Sequence, residues 1–160
     1  MNMKEYLNTP SEPLRKETLH LTKRVSAHTA AFNVNGDCMQ GKQIYDGDTI
    51  LVDLDRKPRA GDPCLCIIRG KPMIKVFHST LGKGIYDVST CYDWNGRPYK
   101  INPDGTLAMN QGFFASEIGG VVIGSFDKAG EPRWMKDYDS FPFELPEISL
   151  NEKSNVRFVS

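Results

Sequence analysis

The sequence lacks net charge and lacks any long apolar run. Its 20 lysine and arginine side chains balance 20 acidic ones over 160 residues, so the formal net charge is zero. A protein that holds DNA by neutralising phosphates needs excess positive charge, so we expect no direct nucleic-acid binding. No apolar stretch approaches the roughly 18 residues that span a membrane, and the polar start from Met1 to Ser11 does not fit a signal peptide. We therefore expect a cytoplasmic protein with no membrane contact.

The sequence also has few cysteines and no metal-binding spacing among them. The four are Cys38, Cys64, Cys66 and Cys91, and none forms a C-x-x-C pair. Because no matching histidine spacing accompanies them, we expect no zinc site and no other cofactor. Cys64 and Cys66 would point to one face of a strand, which is poor geometry for a disulfide between them. Buried, reduced thiols are therefore expected at positions 64, 66 and 91.

The composition is that of a globular chain. Hydrophobic residues make up 39% and aromatic residues 10%, which is too apolar for disorder. We predict an N-terminal arm over residues 1–27, a main domain over 28–130 and a C-terminal extension over 131–160. Prolines at 132, 142 and 146 block a long helix in the extension, so we expect it to be extended and packed on the domain.

The arm carries a weak helix signal. Ser11 and Pro13 predict the start of a short helix that ends near Ala27, after a polar tail. Leu19 and Leu21 also fit a strand, so both alternatives remain open here.

Beyond the arm, turn signals recur every 8–12 residues, which predicts a mainly β domain of barrel-like or sandwich form. The expected strands are Ala31–Val34, Thr49–Leu54, Cys64–Ile68, Met73–His78, Ile85–Thr90 and Gly119–Phe126. The strands at 64–68 and 73–78 should pair as a hairpin, and Asn95-Gly96 predicts another hairpin turn. The strand at 119–126 is apolar on both faces, which indicates a central or an interface strand.

Four short motifs follow one another in a specific order. Gly36-Asp37-Cys38-Met39 comes first, then Asp46-Gly47-Asp48 entering a strand, then Gly61-Asp62, and finally a hairpin that carries Lys75. This arrangement resembles the LexA/UmuD family of self-cleaving peptidases, which is related to the signal peptidases. In that family a Gly-Asp-Ser-Met turn carries the nucleophilic serine. The resemblance covers about residues 28–78 closely and extends loosely to 119–126.

The resemblance implies specific roles. Cys38 falls at the nucleophile, and Lys75 falls at the general-base lysine of a Ser/Lys-type dyad. Gly36 and Asp37 match the turn before the nucleophile, and Met39 matches the residue after it. The resemblance further implies a LexA/signal-peptidase-like β domain and a homodimer. It also implies a role in bacterial or phage stress responses such as the SOS response. The implied substrate is a peptide arm of the same chain or of a partner.

The chemistry of this site can be argued from the residues. A serine nucleophile needs a neutral lysine, and the strand would place Lys75 on one face with Met73 and Phe77, surroundings that favour the neutral amine. Backbone N–H groups of Cys38 and Gly36 are hypothetical oxyanion donors. Cysteine departs from the family's serine, and a lysine beside it would act mainly as the ion-pair partner of a thiolate. An active peptidase and an inactive site remain alternatives.

The substrate bond is a second departure. The family cuts an Ala-Gly or Cys-Gly bond in an arm ahead of the nucleophile, and neither pair occurs before Cys38. Ala60-Gly61 and Ala129-Gly130 lie downstream of it. The chain therefore looks more like an already processed form, similar to truncated UmuD, and we expect it to be without the N-terminal DNA-binding unit of the repressors. A non-enzymatic module that binds a partner, as processed UmuD binds a translesion polymerase, is the alternative function.

Other polar residues have simpler explanations. His20, His28 and His78 are weak candidates for a Cys-His pair, since surface or core histidines are commoner. Asp46 and Asp48 fit turn chemistry better than a cation site, because the spacing lacks the calcium-loop pattern.

Overall fold

The computed structural model describes residues 2–8, 20–24, 28–92, 103–105 and 110–136. The elements in these ranges are a helix α1 (Met3–Leu7), a 3-10 helix (Gln40–Lys42) and the strands β1 (His20–Arg24), β2 (Thr29–Asn33), β3 (Thr49–Asp53), β4 (Pro63–Ile68), β5 (Lys71–Gly82), β6 (Ile85–Ser89), β7 (Gly112–Ala115), β8 (Glu117–Phe126) and β9 (Pro132–Met135). No helix among them is long and apolar enough to cross a membrane.

All nine strands form one antiparallel sheet. Its order is β1-β2-β3-β8-β4-β5-β6-β7, and β9 pairs with β8 beside that path. The predicted mainly β fold is therefore confirmed, and each of the six expected strands has a counterpart. β5 is longer than expected, because its second half pairs with β6 through two irregularities in the register.

The β4–β5 hairpin sets the register of the domain's central region. Arg69 and Gly70 form its two-residue turn with positive φ values of 52° and 77°, the backbone that tight hairpins favour. The turn places Cys64 opposite Lys75 and Leu65 opposite Ile74. The predicted hairpin is confirmed.

Alternate side chains of this hairpin enter two separate cores. One core includes Leu65 and Ile74, and the other includes Cys64 and Phe77. Because successive residues of a strand point to opposite faces, a continuous apolar strand such as β4 must be covered on both sides. All six residues of β4 are buried.

The N-terminal arm differs from the prediction. A polar tail was expected at its start, but residues 3–7 form a helix with a capping box between Asn2 and Glu5. Met3 and Tyr6 of this helix are buried in the first core, and that burial stabilises a helix too short to persist alone. Of the two alternatives left open for the arm, the strand is confirmed over residues 20–24, which form β1, and the helix is wrong there, since pairing with β2 outweighs a weak helical pattern. The rest of that expected helix lies outside the described residues.

The strand predicted at 119–126 is central. β8 pairs with β3, β4 and β9, and its residues 120–126 are buried within the chain itself. The strand therefore has little exposed surface for a dimer contact, and the central position is the one of the two predicted alternatives that the structure favours. Of the C-terminal extension, β9 packs on β8, while residues 137–160 lie outside the described residues, as does the Asn95-Gly96 turn.

Candidate functional site

The turn before Cys38 is held by a second turn. The backbone N–H of Gly36 donates to Oδ1 of Asp46 at 2.7 Å, and Gly36 has a φ of 102° that suits glycine. The N–H of Gln40 donates to the carbonyl oxygen of Asp37 at 3.4 Å. Met39, which is buried in the first core, caps the 3-10 helix that follows. The turn is therefore fixed both by backbone bonds and by one anchored side chain.

The backbone of Cys38 is also held by hydrogen bonds through Cys91. The N–H of Cys91, two residues beyond β6, donates to the carbonyl oxygen of Cys38 at 2.8 Å. The N–H of Gly41 donates to the carbonyl oxygen of Cys91, also at 2.8 Å. The Cys38 thiol remains half-buried, whereas the other three cysteines are buried. A nucleophile needs this combination of a rigid backbone and a reachable side chain.

Lys75 reaches the Cys38 thiol from β5. Its Nζ donates a hydrogen bond to Sγ of Cys38 at 3.2 Å, although the two residues lie 37 positions apart. The Lys75 side chain is only 3% exposed. Its Nζ also lies 5.4 Å from the centre of the Phe113 ring, a distance at which a cation is attracted to the ring. Within the described residues no carboxylate pairs with it. The sequence-predicted pair is therefore brought together in an apolar setting.

The backbone around Cys38 carries candidate oxyanion donors. The N–H of Gly36, one of the two expected oxyanion donors, is already bonded to Asp46. The N–H groups of Cys38 and Met39 have no hydrogen-bond partner in the part of the chain that the structure describes. Two adjacent unpaired donors beside a nucleophile are the arrangement that stabilises a developing oxyanion.

The remaining cysteines are buried as expected, and all four are reduced. The side chains of Cys64 and Cys66 lie in the second core. A hydrogen bond between them, together with burial, raises the pKa of the Cys64 thiol well above its ordinary value. Cys64 lies opposite Lys75 in the register, yet its neutral thiol is suited to packing and not to attack.

The histidines lie apart from this chemistry. His28 is exposed and pairs with Asp55, and exposed His78 bonds Ser89 through Nε2 at 2.7 Å. His20 lies in β1.

The predicted turn chemistry of the two aspartates is confirmed. Asp46 holds Gly36, and Oδ2 of Asp48 accepts from the N–H of Tyr45 at 2.8 Å. In the described ranges no group of three or more histidine, cysteine or acidic side chains could hold a metal ion.

Sequence reasoning missed two contributors to the site. The first is Phe113, whose position over Lys75 depends on β7 pairing with β6. Arg133 forms an ion pair with buried Asp48 from 85 positions away. No local pattern signals either contact, because both arise from strands that meet only in the folded sheet.

A groove lies against β5 at Phe77. It has a volume of about 490 Å³ and is lined by the 54–58 loop together with Phe77, Tyr86 and Ile118. Phe77 is two residues from Lys75 on the same strand, so the two side chains share a face. Asp55, Arg56 and Lys57 also line the groove, and Nε of Arg56 pairs with Oδ2 of Asp53 at 3.5 Å.

The fold and the site together define an all-β domain in which a thiol at a Gly-Asp-Cys-Met turn contacts a buried lysine. The family model described as Peptidase S24-like matches residues 3–101, more than half of the sequence, and the chain belongs to this family. The matched region contains both Cys38 and Lys75. A search of the curated proteins finds no match to the chain.

Proposed function

We propose that the protein is a LexA/UmuD-like peptidase that cleaves a peptide bond in an extended arm of its own chain or of a partner, with a Cys38–Lys75 dyad. The observation that carries the proposal is the 3.2 Å contact between Nζ of Lys75 and Sγ of Cys38. Membership of the Peptidase S24-like family supports the same class of reaction. No cofactor is needed for this chemistry.

The reaction follows from the dyad. Lys75 stabilises the thiolate as its ion-pair partner, and the sulfur attacks the carbonyl carbon of the scissile bond. The oxyanion is held by the N–H groups of Cys38 and Met39. The C–N bond then breaks, the ammonium of Lys75 gives its proton to the departing amine, and an acyl-thioester remains on Cys38. Water hydrolyses the thioester, delivering its hydroxyl to the acyl carbon and its proton to Lys75, which restores the pair.

The groove along β5 gives the substrate arm a place to bind. An extended peptide that fills the groove beside Phe77 would continue along β5 towards Lys75, whose side chain shares a face of the strand with Phe77.

The alternative function is an inactive interaction module of the same fold. It is favoured by the cysteine at the serine position. Such a module would act through partner binding, as processed UmuD does with a translesion polymerase.

One cleavage assay separates the two functions. The purified protein is incubated at alkaline pH, alone and with candidate peptides, and new fragments are identified by mass spectrometry. We compare the native chain with Cys38→Ser, Lys75→Ala and the control Lys71→Ala on the same strand. Cleavage that survives in Lys71→Ala and is lost in Lys75→Ala supports the peptidase. Absence of fragments in the native chain and in Cys38→Ser favours the interaction module.

We further propose a cytoplasmic homodimer that acts in a bacterial or phage stress response, as the family resemblance implies. The exposed side chains of Ile85 and Phe114 support an association surface. Asp87 lies opposite Phe114 in the register, so Ile85 and Phe114 project from one face, with exposed fractions of 47% and 67%. Sedimentation should show a dimer that dissociates in the variant Phe114→Asp, and an unchanged dimer in that variant would exclude this surface.

A further inference from the structure

β9 is tied to the loop that follows Cys38, although it lies outside the matched region 3–101. Nε1 of Trp134 donates to the carbonyl oxygens of Lys42 and Gln43 at 2.9 and 3.3 Å. These two residues end the 3-10 helix that begins directly after Met39. The indole therefore satisfies carbonyl groups that the helix end leaves open.

A second residue of β9 holds the turn that precedes β3. Nε and Nη2 of Arg133 donate to Oδ2 and Oδ1 of Asp48 at 2.7 and 3.0 Å, a bidentate pair. Asp48 is fully buried, and its Oδ2 also accepts from Ser125 Oγ at 3.4 Å. The guanidinium lies 4.5 Å from the centre of the Tyr45 ring. The hydrogen bond to Asp48 raises the pKa of Arg133. Bidentate geometry of this kind fixes orientation as well as position.

The turn held by Arg133 carries the backbone that leads into Cys38. The N–H of Val34 donates to the carbonyl oxygen of Asp48 at 2.9 Å, and the N–H of Gly47 donates back to Val34 at 2.8 Å. Asp46 binds the N–H of Gly36. The chain on both sides of the nucleophile is thus attached to β9, before it through Arg133 and after it through Trp134.

We propose that Arg133 and Trp134 are positioning residues that hold the Cys38 turn in contact with Lys75. Neither side chain is part of the dyad, so each acts through the backbone of the turn. Relevance to peptide cleavage rests on the proposed function. The effect of these residues on Cys38 reactivity does not depend on the proposed function, and it can be measured without a substrate.

The test is the second-order rate of Cys38 alkylation by iodoacetamide at neutral pH, with the modified cysteine identified by mass spectrometry. Trp134→Phe removes the indole donor and keeps an aromatic ring, and Arg133→Met removes the ion pair. The control is Lys136→Met, which breaks the 2.8 Å bond to Asp62 from Lys136, the residue directly after β9. We expect Trp134→Phe and Arg133→Met to lower the rate about fivefold, and the control to change it less than about twofold.

Double variants separate positioning from general destabilisation. Arg133→Met leaves Asp48 buried and unpaired and can unfold the chain, so Trp134→Phe is the deciding variant. In a Lys75→Met background, Trp134→Phe should lower the rate no further. The contact between Lys75 and Cys38, which Trp134 is proposed to maintain, is already absent there.

A Trp134→Phe protein with a lowered melting temperature and an unchanged alkylation rate would overturn the proposal. Equal losses of rate with and without Lys75 would also overturn it. A Lys75→Met protein that reacts at the native rate while Trp134→Phe lowers the rate would overturn it as well, because β9 would then act on the thiol without the contact to Lys75. Failure of the proposed peptidase alone would leave these rates as expected and would show only as an absence of cleaved peptide.

Discussion

Nζ of Lys75 and Sγ of Cys38 lie 3.2 Å apart, and they come from a strand and a turn separated by 37 positions. The strand is fixed by its register with β4, and the turn is fixed by hydrogen bonds to Asp46 and Cys91. Neither residue has to move for the contact to exist. A buried amine held this way stabilises a reactive group at the expense of its own hydration.

Because removing the Lys75 amine from water is unfavourable, we predict that the protein becomes more stable when Lys75 is replaced by an apolar residue. Lys75→Met keeps the length of the side chain and removes a polar group that is 3% exposed. We expect the free energy of unfolding to rise by about 1 kcal/mol, since apolar side chains of similar size often stabilise a buried position more than charged ones do. Urea denaturation measures the change. Lys71→Met on the same strand, at a more exposed position, should stay within about 0.5 kcal/mol, and a destabilised Lys75→Met protein would contradict the argument.

The four thiols should differ sharply in reactivity. Cys38 is half-buried, and the other three are buried. The hydrogen bond with Cys66 and burial raise the pKa of Cys64, so near neutral pH it stays protonated and unreactive. A thiol reagent should therefore label one cysteine in the native protein and four in denaturant. Mass spectrometry should find the native label on Cys38, and rapid labelling of Cys64 would show that the β4 region opens readily.

Gly120 should tolerate no side chain. A Cβ there would meet the carbonyl oxygen of Asp53 and lie 2.9 Å from Cα of Leu54, and its φ is +146°. Because these are backbone atoms, they cannot turn aside, and we expect Gly120→Ala to cost more than about 3 kcal/mol of unfolding free energy. Gly61→Ala is the matched control, since its φ of +95° is strained but nothing lies within 4 Å. That variant should lose only about 1–2 kcal/mol by the same measurement.

Burial of Tyr6 predicts a loss of stability at alkaline pH. Its side chain is 1% exposed, and its hydroxyl has no hydrogen-bond partner within the described ranges. Burial raises the pKa of Tyr6 above its ordinary value of 10.0. The folded state therefore keeps the proton while the unfolded state loses it, so stability is complete below about pH 10 and falls above it.

The Tyr6 contribution to that loss should reach about 1.4 kcal/mol at about pH 11. The measurement is urea denaturation below about pH 10 and again at about pH 11, with Tyr6→Phe as the comparison. Phenylalanine fills the same space without an ionisable group, so its free energy of unfolding should fall less. Identical pH dependence in both proteins would mean that Tyr6 is not buried in the native state.

Local chemistry explains what the sequence predicted correctly. Arg69 and Gly70 turn the chain because of their backbone preferences, and the apolar run from Cys64 is buried on both faces. The Asp46-Gly47-Asp48 turn is likewise specified by its own side chains. The arm was predicted less well, because α1 is stabilised by burying Met3 and Tyr6 against distant strands and not by its own pattern.

The sequence by itself determined six of the strands, the hairpin, the Gly36–Met39 turn and the choice of Cys38 and Lys75 as candidate residues, since each is marked by adjacent residues or by motif order. Only the tertiary structure decided that Gly36 donates to Asp46 and not to a substrate. It also decided that Phe113 covers Lys75 and that Arg133 and Trp134 reach the turn from β9. These contacts join residues far apart in sequence, and they depend on which strands become neighbours when the sheet buries its two apolar faces.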